Sequence, residues 1–121
     1  MKIARNFFIL LFFVSAATAA LAQKKGREPE LRTVHGSVVD KQDSAIDSAV
    51  VYLKNLHTQD IKTYISDNEG EYRFSGLDLS IDYEIHAEHQ GMTSATRSIS
   101  SFDTRKDVSM TLKVDRKKNE K

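Results

Sequence analysis

Residues 66–76 read SDNEGEYRFSG, and Asp67, Asn68 and Glu69 in a row offer the oxygen-bearing side chains from which a calcium loop is built. The spacing does not fit that chemistry. An EF-hand loop has its glycine at the sixth position; with Gly70 there, Ile65 stands first and Gly76 twelfth, where an Asp and a bidentate Glu are required. Three oxygens also fall short of the roughly six to eight that calcium takes. A turn needs less. Asp and Asn bond their own backbone, and a glycine supplies the positive φ with which a chain folds back. The stretch is therefore expected to be a hairpin, shaped by Asp67 and Asn68 and closed by Gly70, with Tyr72 and Phe74 pointing into a core.

The four histidines are His35, His57, His86 and His89. On a strand, residues three apart point to opposite faces, so His86 and His89 do not converge on a metal. Glu84, His86 and Glu88 do line one face, and a divalent ion would need His35 from a neighbouring strand to complete the set. A solvent-facing ladder of polar side chains explains the same alternation, and no metal or cofactor is expected. Nucleophilic catalysis finds no better footing. The chain has no cysteine and no Gly-x-Ser-x-Gly, and His35-Gly36-Ser37 lies within a strand pattern with no orienting acid close in sequence. Five glycines scattered singly exclude a phosphate-cradling loop. The chain is expected not to be an enzyme. Tyr52 and Tyr64 are the candidate ligand-binding residues: both lie on faces opposite the expected core positions, where a small stacking surface could take a sugar.

The elements that would position these residues are strands. Period-two alternation runs through Thr33–Asp40, Ala49–Leu53, Ile61–Ser66, the segment of Tyr72 and Phe74, Tyr83–Glu88, and Val108–Val114. Thr93 to Ile99 is polar and rich in Ser and Thr, which predicts an edge strand guarded against pairing. Seven short strands without a helical period predict an all-β fold, a seven-stranded Greek-key-type β-sandwich in which two sheets bury all the apolar faces together.

At the N-terminus, Lys2 and Arg5 precede an apolar run that ends in Ala20-Leu21-Ala22, the pattern of a secretory signal peptide over residues 1–22. The run is about 16 residues, short of the roughly 20 that a membrane span needs. No stable membrane insertion is expected after cleavage, and the product is expected to be secreted or periplasmic. Without cysteine there is neither a disulfide framework nor an acceptor for a lipoprotein anchor. Residues 23–32 read as a flexible leader, 33–114 as one domain and 115–121 as a basic tail. Thr33 to Leu112 holds seven Lys/Arg against thirteen Asp/Glu. An acidic body argues against nucleic acid, whose phosphates require clustered cations.

The order VHGSVVD, AVVYLKN, TYISDNEGEYRFSGL, DYEIHAEHQG and VSMTLKV resembles the carboxypeptidase regulatory-like domain, a transthyretin-like (prealbumin-like) β-sandwich with a carbohydrate-binding-like fold. Ser66, Asp67, Gly70, Tyr72, Phe74 and Leu77 are similar to the family's Thr/Ser-Asp-x-x-Gly-x-Tyr-x-Phe-x-x-Leu pattern. Val34, Gly36, Val38, Ala49, Val51, Leu53, Tyr83 and Gly91 resemble its other recurrent positions, while the proline that the first connection usually carries near Ile46 is absent. The resemblance implies a module that is not itself the catalyst: a free-standing, exported protein whose partner is a protein or a polysaccharide of the cell envelope. Its roles would be protein interaction or envelope structure, with carbohydrate binding as the alternative.

Overall fold

The computed structural model describes residues 29–118. The expected signal peptide, the leader up to residue 28 and the last three residues of the tail lie outside the described residues. Eight strands follow in order: β1 Leu31–Val39, β2 Val50–Asn55, β3 Ile61–Ile65, β4 Glu71–Asp78, β5 Tyr83–His89, β6 Met92–Ser94, β7 Arg97–Ile99 and β8 Asp107–Lys117. The fold is all-β, as the alternation requires.

Two layers face each other. In the first, β1 lies between antiparallel β4 and parallel β8, with Thr33 beside Asp107 and Val39 beside Lys113. In the second, β2 pairs antiparallel with both β3 and β5, and β5 is bordered by β6 at one end and β7 at the other. The 11 residues of β8 serve both layers: the first part runs along β1, and Val114, Arg116 and Lys117 pair with β6. The inward side chains form one core, which includes Val34, Val38, Val51, Leu53, Ile85, Val108 and Leu112, all but excluded from solvent. Each fully buried aliphatic side chain contributes about 1.5–3 kcal/mol over its exposed state.

Three expectations are corrected. The expected hairpin is not one: β3 pairs only with β2 and β4 only with β1, so the SDNEG turn carries the chain from one layer to the other. Neighbours in sequence usually pair, but Tyr72 is held opposite Gly36 of β1, which places β4 in the far layer. The polar run from Thr93 to Ile99 is not one strand, and only its second half, β7, which pairs with β5 alone, lies at an edge. It breaks at Ala95 and Thr96, and β6 sits between β5 and β8. Ser94 is buried there, its Oγ accepting from the Ala87 N–H at 2.9 Å and donating to the Ala95 carbonyl at 3.0 Å, so this hydroxyl patches a ladder rather than wetting an edge. Finally, the domain is longer than 33–114. β1 begins at Leu31 because Arg32 is buried, and β8 continues into the expected tail as far as Lys117.

Gly36 shows how the first layer closes. It pairs with Tyr72 on one side and Met110 on the other. A Cβ at Gly36 would fall 1.8 Å from the Met110 carbonyl oxygen. The Tyr72 side chain points inward, and its hydroxyl donates to that same oxygen at 2.7 Å, two strands away. One aromatic side chain thus spans the layer across its glycine.

Candidate functional site

The SDNEG turn is built from its own polar atoms. Asp67 Oδ1 accepts from the N–H groups of Glu69 and Glu71, both at 2.9 Å, and the Gly70 N–H donates to the Asp67 carbonyl at 2.9 Å. Gly70 has φ 74°, and a Cβ there would lie 2.7 Å from the Val38 carbonyl. One of the two Asp67 carboxylate oxygens is thereby committed to the backbone. Ser66 completes the junction from a buried position: the Ala49 N–H donates to its Oγ at 2.9 Å, and Oγ–H donates to the Ile46 carbonyl at 2.7 Å. Tyr72 and Phe74 are buried, as the alternation requires.

Tyr52 and Tyr64 do not form one stacking surface. Tyr52 pairs with Thr63 and His86 on the outer face of the second layer, and its ring stacks on His86 at 4.9 Å and 13°. Tyr64 pairs with inward-facing Val51 and meets Phe74 edge-on at 6.0 Å, at the mouth between the layers. In an edge strand with every residue exposed, alternation placed Tyr64 on the outer face, and the pairing with Val51 corrects it.

Around Tyr52 the outer face carries Glu84, His86 and Glu88, as expected from spacing. His86 Nε2 lies 3.0 Å from Glu88 Oε2, and Lys118 Nζ lies 3.0 Å from Glu88 Oε1. Burial raises the Glu88 carboxyl, but the hydrogen bonds from His86 and Lys118 outweigh it and hold the group below the usual glutamate range. Its contribution to stability is present above the ordinary glutamate pKa and is lost as pH falls through the lowered one. His35 stands in the other layer, so the metal set that would have joined it to Glu84, His86 and Glu88 is not assembled. Among the described residues, no three His, Cys, Asp or Glu side chains come together.

A polar groove of about 490 Å³ runs over β4, β1 and β8, lined by His35, Ser37, Glu71, Arg73, Ser109 and Thr111 among others. Here the structure supplies what sequence proximity did not, an acid for His35: Asp107, opposite Thr33 on β8, places Oδ1 3.1 Å from His35 Nε2. Parallel pairing of segments about seventy positions apart left no local signal of it. The Asp107 side chain is 72% exposed, which keeps the ion pair weak. No hydrogen bond among the described residues joins His35 to Ser37 or Ser109. What the groove offers is hydroxyls, a guanidinium and a carboxylate at an open surface.

The residue that spacing missed is Arg32, the bulkiest of the fully buried side chains. Nε donates to the Arg105 carbonyl at 2.9 Å, Nη1 to the Ser100 carbonyl at 3.2 Å, and Nη2 to the Asp103 carbonyl. A single side chain therefore pins both limbs of the loop between β7 and β8. Arg105 pairs in turn with the Asp103 carboxylate, and its hydrogen bonds hold that carboxyl far below the ordinary aspartate range. At the tip, Phe102 is 92% exposed.

Against this geometry, the family model for the carboxypeptidase regulatory-like domain matches residues 33–115. The chain belongs to this family. The match covers the two-layer core from β1 into β8, and the glycine-spanning Tyr72 lies within it. No curated protein matches the chain significantly. Solved structures share the fold of this carboxypeptidase regulatory-like domain at low identity. Catechol 1,2-dioxygenase from Acinetobacter sp. ADP1 is 11% identical with a TM-score of 0.55, over 74% of this chain and 54% of that one. The dioxygenase domain of a carbohydrate-binding fusion from Streptomyces sp. SirexAA-E is 10% identical with a TM-score of 0.53, over 73% and 81%. The group B streptococcus pilus 2b backbone protein is 13% identical with a TM-score of 0.54, over 72% and 42%. The chain spans about half the length of the Acinetobacter enzyme. At such identities the likeness is one of fold.

Proposed function

We propose that this carboxypeptidase regulatory-like domain is an exported, non-catalytic module that works through its surface, in protein interaction or in the structure of the cell envelope. The observation that carries the reading is the disposition of its polar side chains. They spread over two outer sheet faces and the loops, and among the described residues the histidine–acid pairs at His35 and His86 engage no serine or threonine hydroxyl. A pilus backbone protein built on the same fold supports a structural role. The test is a pull-down from an envelope fraction with the tagged protein. A reproducible protein partner is the expected result; no partner, together with affinity for a polysaccharide, would overturn it.

Carbohydrate binding is the second reading, and it moves from the two tyrosines to the polar groove. Ser37, Ser109 and Thr111 present hydroxyls beside Arg73 and Glu71, donors and acceptors suited to a sugar's own hydroxyls. On a glycan array, binding that falls with Arg73→Ala and persists with Tyr52→Ala would support it. An array without binding would remove it.

A further inference from the structure

The sandwich ends on strands that each have a single partner: β3 in the second layer, β4 in the first, and the short β7 beside β5. An unpaired strand edge presents a row of free N–H and C=O groups, and proteins guard it with charge, proline or brevity. β7 has three residues and opens on Arg97, while β4 carries exposed Glu71 and Arg73. β3 has one charge, Lys62, in five residues and no proline. Among the described residues, three of the six large apolar side chains left exposed, Ile61, Tyr64 and Ile65, stand on this strand.

The ladder to β2 decides which groups the edge leaves free. The Asn55 N–H donates to the Asp60 carbonyl at 2.8 Å and the Ser66 N–H to the Ala49 carbonyl at 2.9 Å, at the two ends of a register that pairs Val51 with Tyr64 and Leu53 with Lys62. Hydrogen-bonded pairs alternate along an antiparallel ladder. Lys62 and Tyr64 therefore direct their backbone groups at β2, and Ile61, Thr63 and Ile65 direct theirs outward. The same three residues place their side chains on the outer face, beside Lys54, Tyr52 and Val50.

An antiparallel partner that uses all three outward residues is centred on Thr63. For a second copy of β3 this register sets Ile61 against Ile65, Thr63 against Thr63 and Lys62 against Tyr64, so isoleucine meets isoleucine and each lysine lies across from a tyrosine ring. Centring on Lys62 instead would set lysine against lysine, and centring on Tyr64 would leave Ile61 outside the ladder. The sequence IKTYI is thus complementary to itself in the register that satisfies its free backbone.

We infer that two copies of the chain pair antiparallel through β3, about a two-fold axis at Thr63, and so continue the second layer from one molecule into the other. Such a contact is isologous and closes on itself at two. Five residues a side are few beside the roughly 20–30 of a standard interface, so the dimer is weak and depends on concentration. The inference goes beyond the envelope reading and needs neither export nor another partner.

Sedimentation velocity on protein expressed from the full 121-residue chain tests it. At concentrations up to about 1 mM, which reach weak contacts, the weight-average mass is expected to climb and to level off at two. Ile61→Lys with Ile65→Lys sets like charges opposite each other in this register, as does Ile61→Glu with Ile65→Glu. The two positions are 59% and 56% exposed, so circular dichroism should show both variants folded. Each alone should dimerise at least about tenfold more weakly; mixed, they should recover a dimer, because lysine then faces glutamate. Thr63→Pro removes an outward donor from the edge and no bond to β2. It should give a folded monomer, which separates strand pairing from one apolar face stacked on another; should it lose its fold, the charged pair decides alone. A wild-type protein that stays monomeric would leave the edge to a strand of some other protein and overturn the inference. A mass that grows past two, variants that dimerise like the wild type, or a mixture no stronger than its parts would overturn it as well. The pull-down reads partners other than this chain, so the two readings fail separately.

Discussion

At Gly36 the space beside the backbone is already occupied, by the Met110 carbonyl on one strand and by the Tyr72 side chain that reaches it from another. Gly36→Ala should therefore destabilise the fold by at least about 2 kcal/mol, the range of an overpacked core, since it is backbone rather than a flexible side chain that must move. A lowered urea midpoint at unchanged slope would show it. Tyr72 also gives the fold an alkaline limit. Burial pushes its phenol well above the ordinary tyrosine pKa, which is about 10 in an unfolded chain. The unfolded state thus gives up this proton first, so stability is unaffected below about pH 10 and falls as pH rises beyond it. Tyr72→Phe should flatten that alkaline fall relative to wild type, although it loses the bond to Met110 at neutral pH. Thermal melts of both proteins across the alkaline range check the sign.

Among the elements, the loop between β7 and β8 depends on a residue outside it. Arg32→Ala should cost about 3 kcal/mol, because three carbonyls lose a charged donor within a buried site. Amide hydrogen exchange should accelerate at Asp103 and Arg105, whose N–H groups bond inside the loop. The strands themselves were legible because each packed face imposes a period of two, and the inward sets Val34 and Val38, Tyr72 and Phe74, or Tyr83, Ile85 and Ala87 stand in plain alternation. What alternation does not encode is partnership. It gave no sign that β3 and β4 enter different layers, nor that β1 finds β8 in parallel. At β3 alternation gave the strand but the wrong face: Tyr64 was set opposite the core, whereas it pairs with inward-facing Val51 in a strand whose five residues are all exposed. Arg32 was illegible for another reason. A lone arginine at the end of a charged leader looks solvated, and its carbonyl partners lie about seventy positions away. The SDNEG stretch was read correctly as a turn from its residue types, while the Tyr52–Tyr64 surface failed with Tyr64's face.

For the whole molecule, the turn that most resembled an ion site predicts a silent response. Asp67 Oδ1 already serves two backbone N–H groups, so added calcium should leave the melting temperature unchanged. A ligand that bound only the folded state at a hundredfold excess over its Kd would add about 2.7 kcal/mol, and a calcium-dependent rise would be plain in a melting curve. β8 has a consequence of a different kind, in time rather than in energy. It is the last of the described strands to be made, yet it lies at the junction of the two layers, beside β1 along its first half and β6 along its second. Until it emerges, β1 lacks one neighbour, the second layer lacks its link to the first, and Tyr72 has no Met110 carbonyl to reach. Closing β1 against β8 spans most of the domain, the kind of distant contact that slows folding. A ribosome adding about 5–20 residues per second therefore holds an unfinished sandwich for several seconds, its two layers unjoined for as long as β8 is withheld.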